Sequence, residues 1–92
     1  MYAKRTTVIN KTGLHARPAS DFINKAKEFQ SKIKIANVTE DAETKVNAKS
    51  IVAVLSLSMG KGTEVEITAD GPDEQEAVDA LVALIDSGFD EE

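Results

Sequence analysis

The tightest constraint on this chain is how its apolar residues alternate with polar ones. Ile33 and Ile35 alternate with Lys32 and Lys34, and Thr44 and Val46 with Lys45 and Asn47. Val65 and Ile67 alternate with Glu64, Glu66 and Thr68. Each segment reads as a strand with one apolar and one wet face. Tyr2 to Ile9 reads as a further strand, rich in Thr, Val and Ile but less regular. Such strands build an antiparallel or mixed sheet covered by helices on one side and open to water on the other.

The covering helices are also legible. Ala19, Phe22, Ile23 and Ala26 follow the i, i+3, i+4, i+7 spacing of a half-buried helix, with Pro18 in its first turn and Phe29 closing it. Ala77, Val78, Leu81, Val82 and Ile85 form a second stripe, entered through Asp70-Gly71-Pro72-Asp73 and stopped at Gly88. The apolar run Ile51, Val52, Val54, Leu55, Leu57 is ambiguous by pattern alone. Ser50 before it and Gly60-Lys61-Gly62 after it favour a short helix. Asn10 to Gly13 is a loop, and Asn37 to Ala42 a polar connection. The order is βαββαβα, an α+β fold in one domain spanning residues 1–92.

A chain of 92 residues buries roughly 60% of its unfolded surface, enough for one core without a roomy enclosed active site. With 4% aromatic residues that core must be built mainly of Val, Ile, Leu and Ala. There is no Cys, which excludes disulfides and thiolate metal sites, and a single His argues against a transition-metal centre. No cofactor and no metal are expected. The start, Met1 to Arg5, lacks the apolar stretch of a signal peptide, and no segment reaches membrane-spanning length, so a cytoplasmic location without membrane insertion is expected. Charge is uneven. Residues 1–69 hold eleven Lys/Arg against seven Asp/Glu, a net +4, and residues 70–92 hold nine Asp/Glu and no Lys/Arg, a net −9. The acidic end reads as a solvated helix, the mildly basic body as a surface for acidic partners. No basic stripe interleaved with aromatics speaks for nucleic acid.

The chemistry centres on His15, the one histidine, in the run Gly13-Leu14-His15-Ala16-Arg17-Pro18-Ala19-Ser20. Histidine is the side chain whose ordinary pKa, roughly 6.5, lies near neutrality. It stands just before a helix start, where unpaired amides and the positive end of the dipole favour an anion over a cation. Arg17 adds a guanidinium suited to phosphate oxygens. A lone histidine at such a junction is ordinarily structural; this context argues for chemistry. A stand-alone hydrolase is disfavoured, because no Ser or Cys triad and no metal set accompany the ring.

Those eight residues resemble the active-site signature of HPr, the histidine-containing phosphocarrier family of the bacterial phosphoenolpyruvate:sugar phosphotransferase system. Lys49-Ser50-Ile51, the apolar run and Gly60-Lys61-Gly62 resemble the family's regulatory-serine region, in the right order along the chain. The resemblance spans nearly the whole chain and implies an open-faced β-sandwich: a four-stranded antiparallel sheet with three helices on one face. It implies a monomeric carrier, not an enzyme, that accepts a phosphoryl group on Nδ1 of His15 from enzyme I and passes it to sugar-specific IIA domains. Arg17 and the amides of Ala16 and Arg17 would hold the phosphate. Ser50 is an N-cap by type and, by resemblance, a regulatory phosphorylation site for an HPr serine kinase/phosphorylase, with a catabolite-control transcription factor as a further partner. Ile51, Val52 and Leu55 fit core packing by spacing; the resemblance implies instead an exposed docking patch. Ser20, Asn24 and Lys27 would continue it along the first helix from Arg17. Alternatives are an effector acting mainly through phosphoserine and a co-repressor surface, against which His15 argues, and a nitrogen-branch phosphocarrier. The chain departs from the usual pattern in a longer connection at Asn37 to Ala42, in Val52, Ala53 and Leu55 of the short helix, and in Asp21 near the expected docking face.

Overall fold

The computed structural model describes residues 1–90. Four strands, β1 (Tyr2–Thr7), β2 (Lys32–Asn37), β3 (Lys45–Asn47) and β4 (Glu64–Asp70), form one sheet in the order β1-β4-β2-β3. Every neighbouring pair is antiparallel. The helices are α1 (Ala16–Ala26), α2 (Val38–Asp41), α3 (Ile51–Ser56) and α4 (Glu74–Asp86), followed by a short 3-10 turn at Gly88–Asp90. The expected sheet is present, with one addition. The connection at Asn37 to Ala42 holds a one-turn helix, α2, because the Asn37 side chain accepts from the Glu40 amide at 3.1 Å and caps it.

The alternation resolves into faces. Ile33 and Ile35 of β2 and Val65, Ile67 and Ala69 of β4 are buried, and the register sets Ile33 against Ala69 and Ile35 against Ile67. Val46 of β3 opposes Ile35 on the same side. Over this face pack Phe22, Ile23 and Ala26 of α1 and Ala77, Val78, Leu81 and Ile85 of α4. Burying the Phe22 side chain alone is worth about 2 kcal/mol in transfer terms. The opposite face carries Lys32 and Lys34, Glu64 and Glu66, and Arg5, which reaches Glu66 at 3.2 Å.

The edges of three elements differ from expectation. β1 ends at Thr7, although its pairing continues through Val8, whose amide donates to the Thr63 carbonyl at 2.9 Å. α1 ends at Ala26 in a series of turns, and Phe29 packs on the core from beyond the helix. Thr44 lies outside β3, with its hydroxyl donating to Asp41 at 2.6 Å.

β1 also departs from the one-apolar-face pattern. Its inward register positions are Tyr2, Lys4 and Thr6, opposite Ala69, Ile67 and Val65. They meet the acidic side of α4. The Tyr2 hydroxyl donates to Asp79 at 3.2 Å, Lys4 pairs with Asp79 at 2.8 Å, and the Thr6 hydroxyl donates to Asp86. The Met1 ammonium pairs with Glu74 at 3.0 Å. The expected solvated acidic helix is therefore partly engaged by β1; Glu91 and Glu92, the end of the acidic run, lie outside the described residues. Among the described residues no helix is long and apolar enough to cross a membrane.

Asp73, just ahead of α4, ties that helix to the start of β2. Its carboxylate accepts from the Gln30 and Ser31 amides, both at 2.9 Å, and from the Ser31 hydroxyl. Gly71 sits beside this joint at φ +157°, where an added Cβ would lie 2.7 Å from the Ser31 Cα. The hydroxyl bond, then the amides, hold the Asp73 carboxyl below its ordinary value. A depressed carboxyl stabilises the fold above its unfolded pKa, roughly 4, and loses that contribution as pH falls through its folded value. Urea midpoints of wild type and Asp73→Asn should therefore differ most near neutral pH, and the gap should narrow below about pH 4. A gap that is constant down to strongly acid pH would refute this role for the carboxylate.

Candidate functional site

The loop from Val8 to His15 is built to hold its end still. The Asn10 amide group donates to the Gly13 carbonyl at 2.9 Å and to the Thr12 hydroxyl at 3.3 Å, while the Asn10 carbonyl accepts from the Gly13 amide at 3.2 Å. Leu14 is fully buried, and its amide donates to the Met59 carbonyl at 2.8 Å. Gly13 stands at φ +69° so close to the loop after α3 that a Cβ would lie 2.5 Å from the Met59 oxygen and 2.6 Å from the Gly60 Cα. Only glycine fits there without displacing backbone. Asn10 and the Met59–Gly60 contact were not legible as site features: Asn at a loop start is a local turn signal, and the contact joins residues far apart in sequence.

His15 follows as the N-cap of α1, with extended backbone (φ −131°, ψ 162°). Its ring makes no capping bond to the helix, and the first turn contains no acidic residue. Ala16 turns the chain into α1 at φ +52°, a left-handed backbone that costs a non-glycine residue about 1–2 kcal/mol. Buried Pro18 and Ala19 lock the next turn onto the core. The imidazole is thus half-buried between two anchors, Leu14 and Pro18, with Arg17 exposed beside it. Chemically this is a ring nitrogen, an exposed guanidinium and a helix end whose positive dipole meets no side-chain acid of its own. Among the described residues no group of His, Asp and Glu is placed to hold a metal ion.

The other sequence candidates fall on two neighbouring elements. Ser20 and Asn24 are exposed on α1 and Lys27 is exposed as its C-cap, and α1 packs against α3. Ser50 is half-buried and caps α3, its hydroxyl accepting from the Ala53 amide at 3.3 Å. The two options for the short helix separate cleanly. Val54 alone is buried, whereas Ile51, Val52 and Leu55 are 39%, 76% and 39% exposed. Asp21 is exposed on α1.

Residues 2–87 match the family described as "PTS HPr component phosphorylation site". The chain belongs to the HPr family of phosphotransferase-system phosphocarriers. It is 45% identical over 91 residues to phosphocarrier protein HPr of Cupriavidus necator, covering 99% of this chain and 98% of that protein. It is 41% identical over 93 residues to phosphocarrier protein NPr of Escherichia coli K12, covering both chains fully. A crystal structure of HPr from Thermoanaerobacter tengcongensis superposes with a TM-score of 0.91 at 47% identity, covering 100% of this chain and 99% of the other. The open-faced sandwich implied by the resemblance, and the one-sided sheet read from alternation, are the HPr fold.

The close approach at Gly13 gives a direct test. Gly13→Ala should destabilise the protein by roughly 2–3 kcal/mol in chemical denaturation, since it adds both left-handed strain and a backbone clash. Gly60→Ala, where an added Cβ meets nothing within 4 Å, should stay within about 0.5 kcal/mol of wild type. Equal effects of the two substitutions would overturn this account of the loop.

Proposed function

We propose that this protein carries phosphoryl groups on His15, accepting them from enzyme I, with phosphoenolpyruvate as their origin, and passing them to sugar-specific IIA domains in the cytoplasm. The observation that carries the reading is the half-buried His15 ring at the N-terminus of α1, where no acidic side chain occupies the first turn. In the forward step the lone pair of one neutral ring nitrogen, Nδ1 by family resemblance, forms a P–N bond as the bond from phosphorus to the donor breaks. The reverse displacement hands the group to the acceptor. A phosphoramidate keeps a high transfer potential, which a serine ester would not. The amides of Ala16 and Arg17 and the Arg17 guanidinium stabilise the anionic group. The carrier brings no cofactor or metal of its own to this step.

Partners are proposed to dock on Ile51, Val52 and Leu55 together with Arg17, Ser20, Asn24 and Lys27. An apolar cluster beside a mildly basic helix face suits acidic, partly apolar partner surfaces. The protein acts as a monomer in this scheme. A nitrogen-branch carrier is the second reading, favoured by full-length similarity to NPr; transfer from the phosphorylated protein to sugar-type against nitrogen-type IIA domains separates the two. His15 speaks against an effector acting through phosphoserine alone.

Labelled phosphoenolpyruvate with enzyme I and magnesium should place acid-labile label on the wild type and none on His15→Ala, whose melting should be unchanged. Arg17→Ala should slow labelling at least tenfold with little change in stability, and Arg17→Lys should recover only part of the rate, because it lacks the planar fork. Label on His15→Ala would end the carrier proposal; an unimpaired Arg17→Ala would remove Arg17 from it.

We infer that Ser50 is a second, regulatory site, addressed by an HPr serine kinase/phosphorylase and read by a catabolite-control transcription factor. A phosphate there sits at the positive end of α3, so the fold should tolerate it. It also sits next to exposed Ile51 and Val52, so docking would have to desolvate a dianion. Phosphoserine at Ser50, or in part Ser50→Asp, should slow His15 labelling by weakening enzyme I binding while melting stays constant. Loss of rate that tracks loss of folded protein would count against it.

A further inference from the structure

Among the described residues, three that are not glycine take a left-handed backbone: Ala16 at φ +52°, Ser58 at φ +50° and Phe89 at φ +55°. Ala16 opens α1, and Phe89 lies in the turn after α4. Ser58 directly follows Leu57, the C-cap of α3. Glycine is the usual residue at that position, because a Cβ is strained there. A serine keeps the strain, and local strain of this kind gathers at functional sites.

Ser58 stands across a close backbone approach from His15. Gly13 lies against Gly60, and the Leu14 amide donates to the Met59 carbonyl at 2.8 Å. The two segments therefore run in opposite directions, and the next step along each brings His15 beside Ser58. Burial alternates in the same way on both. Leu14 and Met59 are fully buried, whereas His15 is half-buried and Ser58 exposed. The ring and the hydroxyl thus share the outer side of the contact. The Ser58 hydroxyl makes no hydrogen bond among the described residues, whereas that of nearby Ser56 donates to the Ala53 carbonyl at 2.6 Å.

We propose that the Ser58 hydroxyl donates a hydrogen bond to the phosphoryl group carried on His15, alongside the α1 amides and Arg17; this rests on the carrier reading. No bond to Ser58 forms or breaks. Its hydroxyl turns from water to a phosphate oxygen while the P–N bond at His15 stays intact. A hydrogen bond to a charged oxygen is stronger than one between neutral groups. Ser58 therefore favours the loaded protein over the empty one. It sets the position of the transfer equilibrium, independently of how tightly a partner docks.

Competition for phosphoryl groups reads that equilibrium directly. Equimolar wild type and Ser58→Ala are mixed with a trace of enzyme I, magnesium and limiting phosphoenolpyruvate. Once exchange through enzyme I is complete, intact-mass spectrometry gives the phosphorylated-to-free ratio of each protein. The wild-type ratio should exceed that of Ser58→Ala about fivefold. Ser58→Gly relieves the left-handed backbone, so it should melt at or above the wild-type temperature and still show the deficit. Ser58→Asn tolerates this backbone and carries an amide donor, and should recover most of the ratio. Equal ratios for wild type and a folded Ser58→Ala or Ser58→Gly overturn the proposal. A deficit in Ser58→Ala that Ser58→Gly abolishes also overturns it, by assigning the effect to strain. Wild type that takes no label on His15 ends the carrier reading itself, and the role of Ser58 falls with it.

Discussion

The contact between Gly13-Leu14 and Met59-Gly60 holds together the end of the molecule that carries the candidate site. It joins the loop after β1 to the loop after α3, two segments that share no strand pairing beyond the Val8 bridge. Through it the start of α1 and the exposed side of α3 become one surface. The hydrogen bond from Leu14 to Met59 is an ordinary backbone pair, worth about 1 kcal/mol net. Its importance is geometric: the two backbones are in contact, so neither loop can shift without the other. Packing completes the constraint, since Leu14 and Pro18 are buried on either side of His15. The backbone that carries the His15 ring is thereby anchored on both sides.

The sheet shows a comparable division between apolar and polar adhesion. β2 and β4 are held by matched apolar positions, Ile33 against Ala69 and Ile35 against Ile67. β1 is held to α4 largely by polar pairs from Tyr2, Lys4 and Thr6. Exposed pairs of this kind contribute little each and are screened by salt. Firm attachment of β1 comes instead from its antiparallel ladder with β4 and from Val8, which reaches the core just past the strand.

What could be read from the sequence followed the range of the interactions involved. Alternation exposed β2, β3 and β4 because each has one apolar face, and the α1 and α4 stripes were legible for the same reason. α2 was invisible to periodicity: four residues hold barely one turn, and only Asn37 as a cap announces it. The polar inward side of β1 followed from its lying at a sheet edge beside an acidic helix, which no local pattern records. His15 and Arg17 stood out in the sequence because what marks them, a titratable ring and a guanidinium at a helix start, is local. The spacing of Ile51, Val52 and Leu55 could not decide between core and surface; that depended on Val54 taking the inward position on α3. Asn10 and Gly13 read as loop residues because their partners, above all Met59 and Gly60, are set by tertiary approach.

The bare N-terminus of α1 has a thermodynamic consequence. Ser50 caps α3 with its own side chain, whereas His15 offers α1 no such bond. In the proposed role the cargo itself becomes the missing cap. Linkage is reciprocal: any free energy the helix gains from a phosphoryl group on those amides is subtracted from the group's tendency to leave. A tightly enclosing cradle would make a storage protein, stable when loaded and reluctant to donate. The half-exposed ring and the exposed Arg17 leave water competing for the same oxygens. In the proposed role such a grip is shallow, and a shallow grip favours nearly balanced loading and unloading.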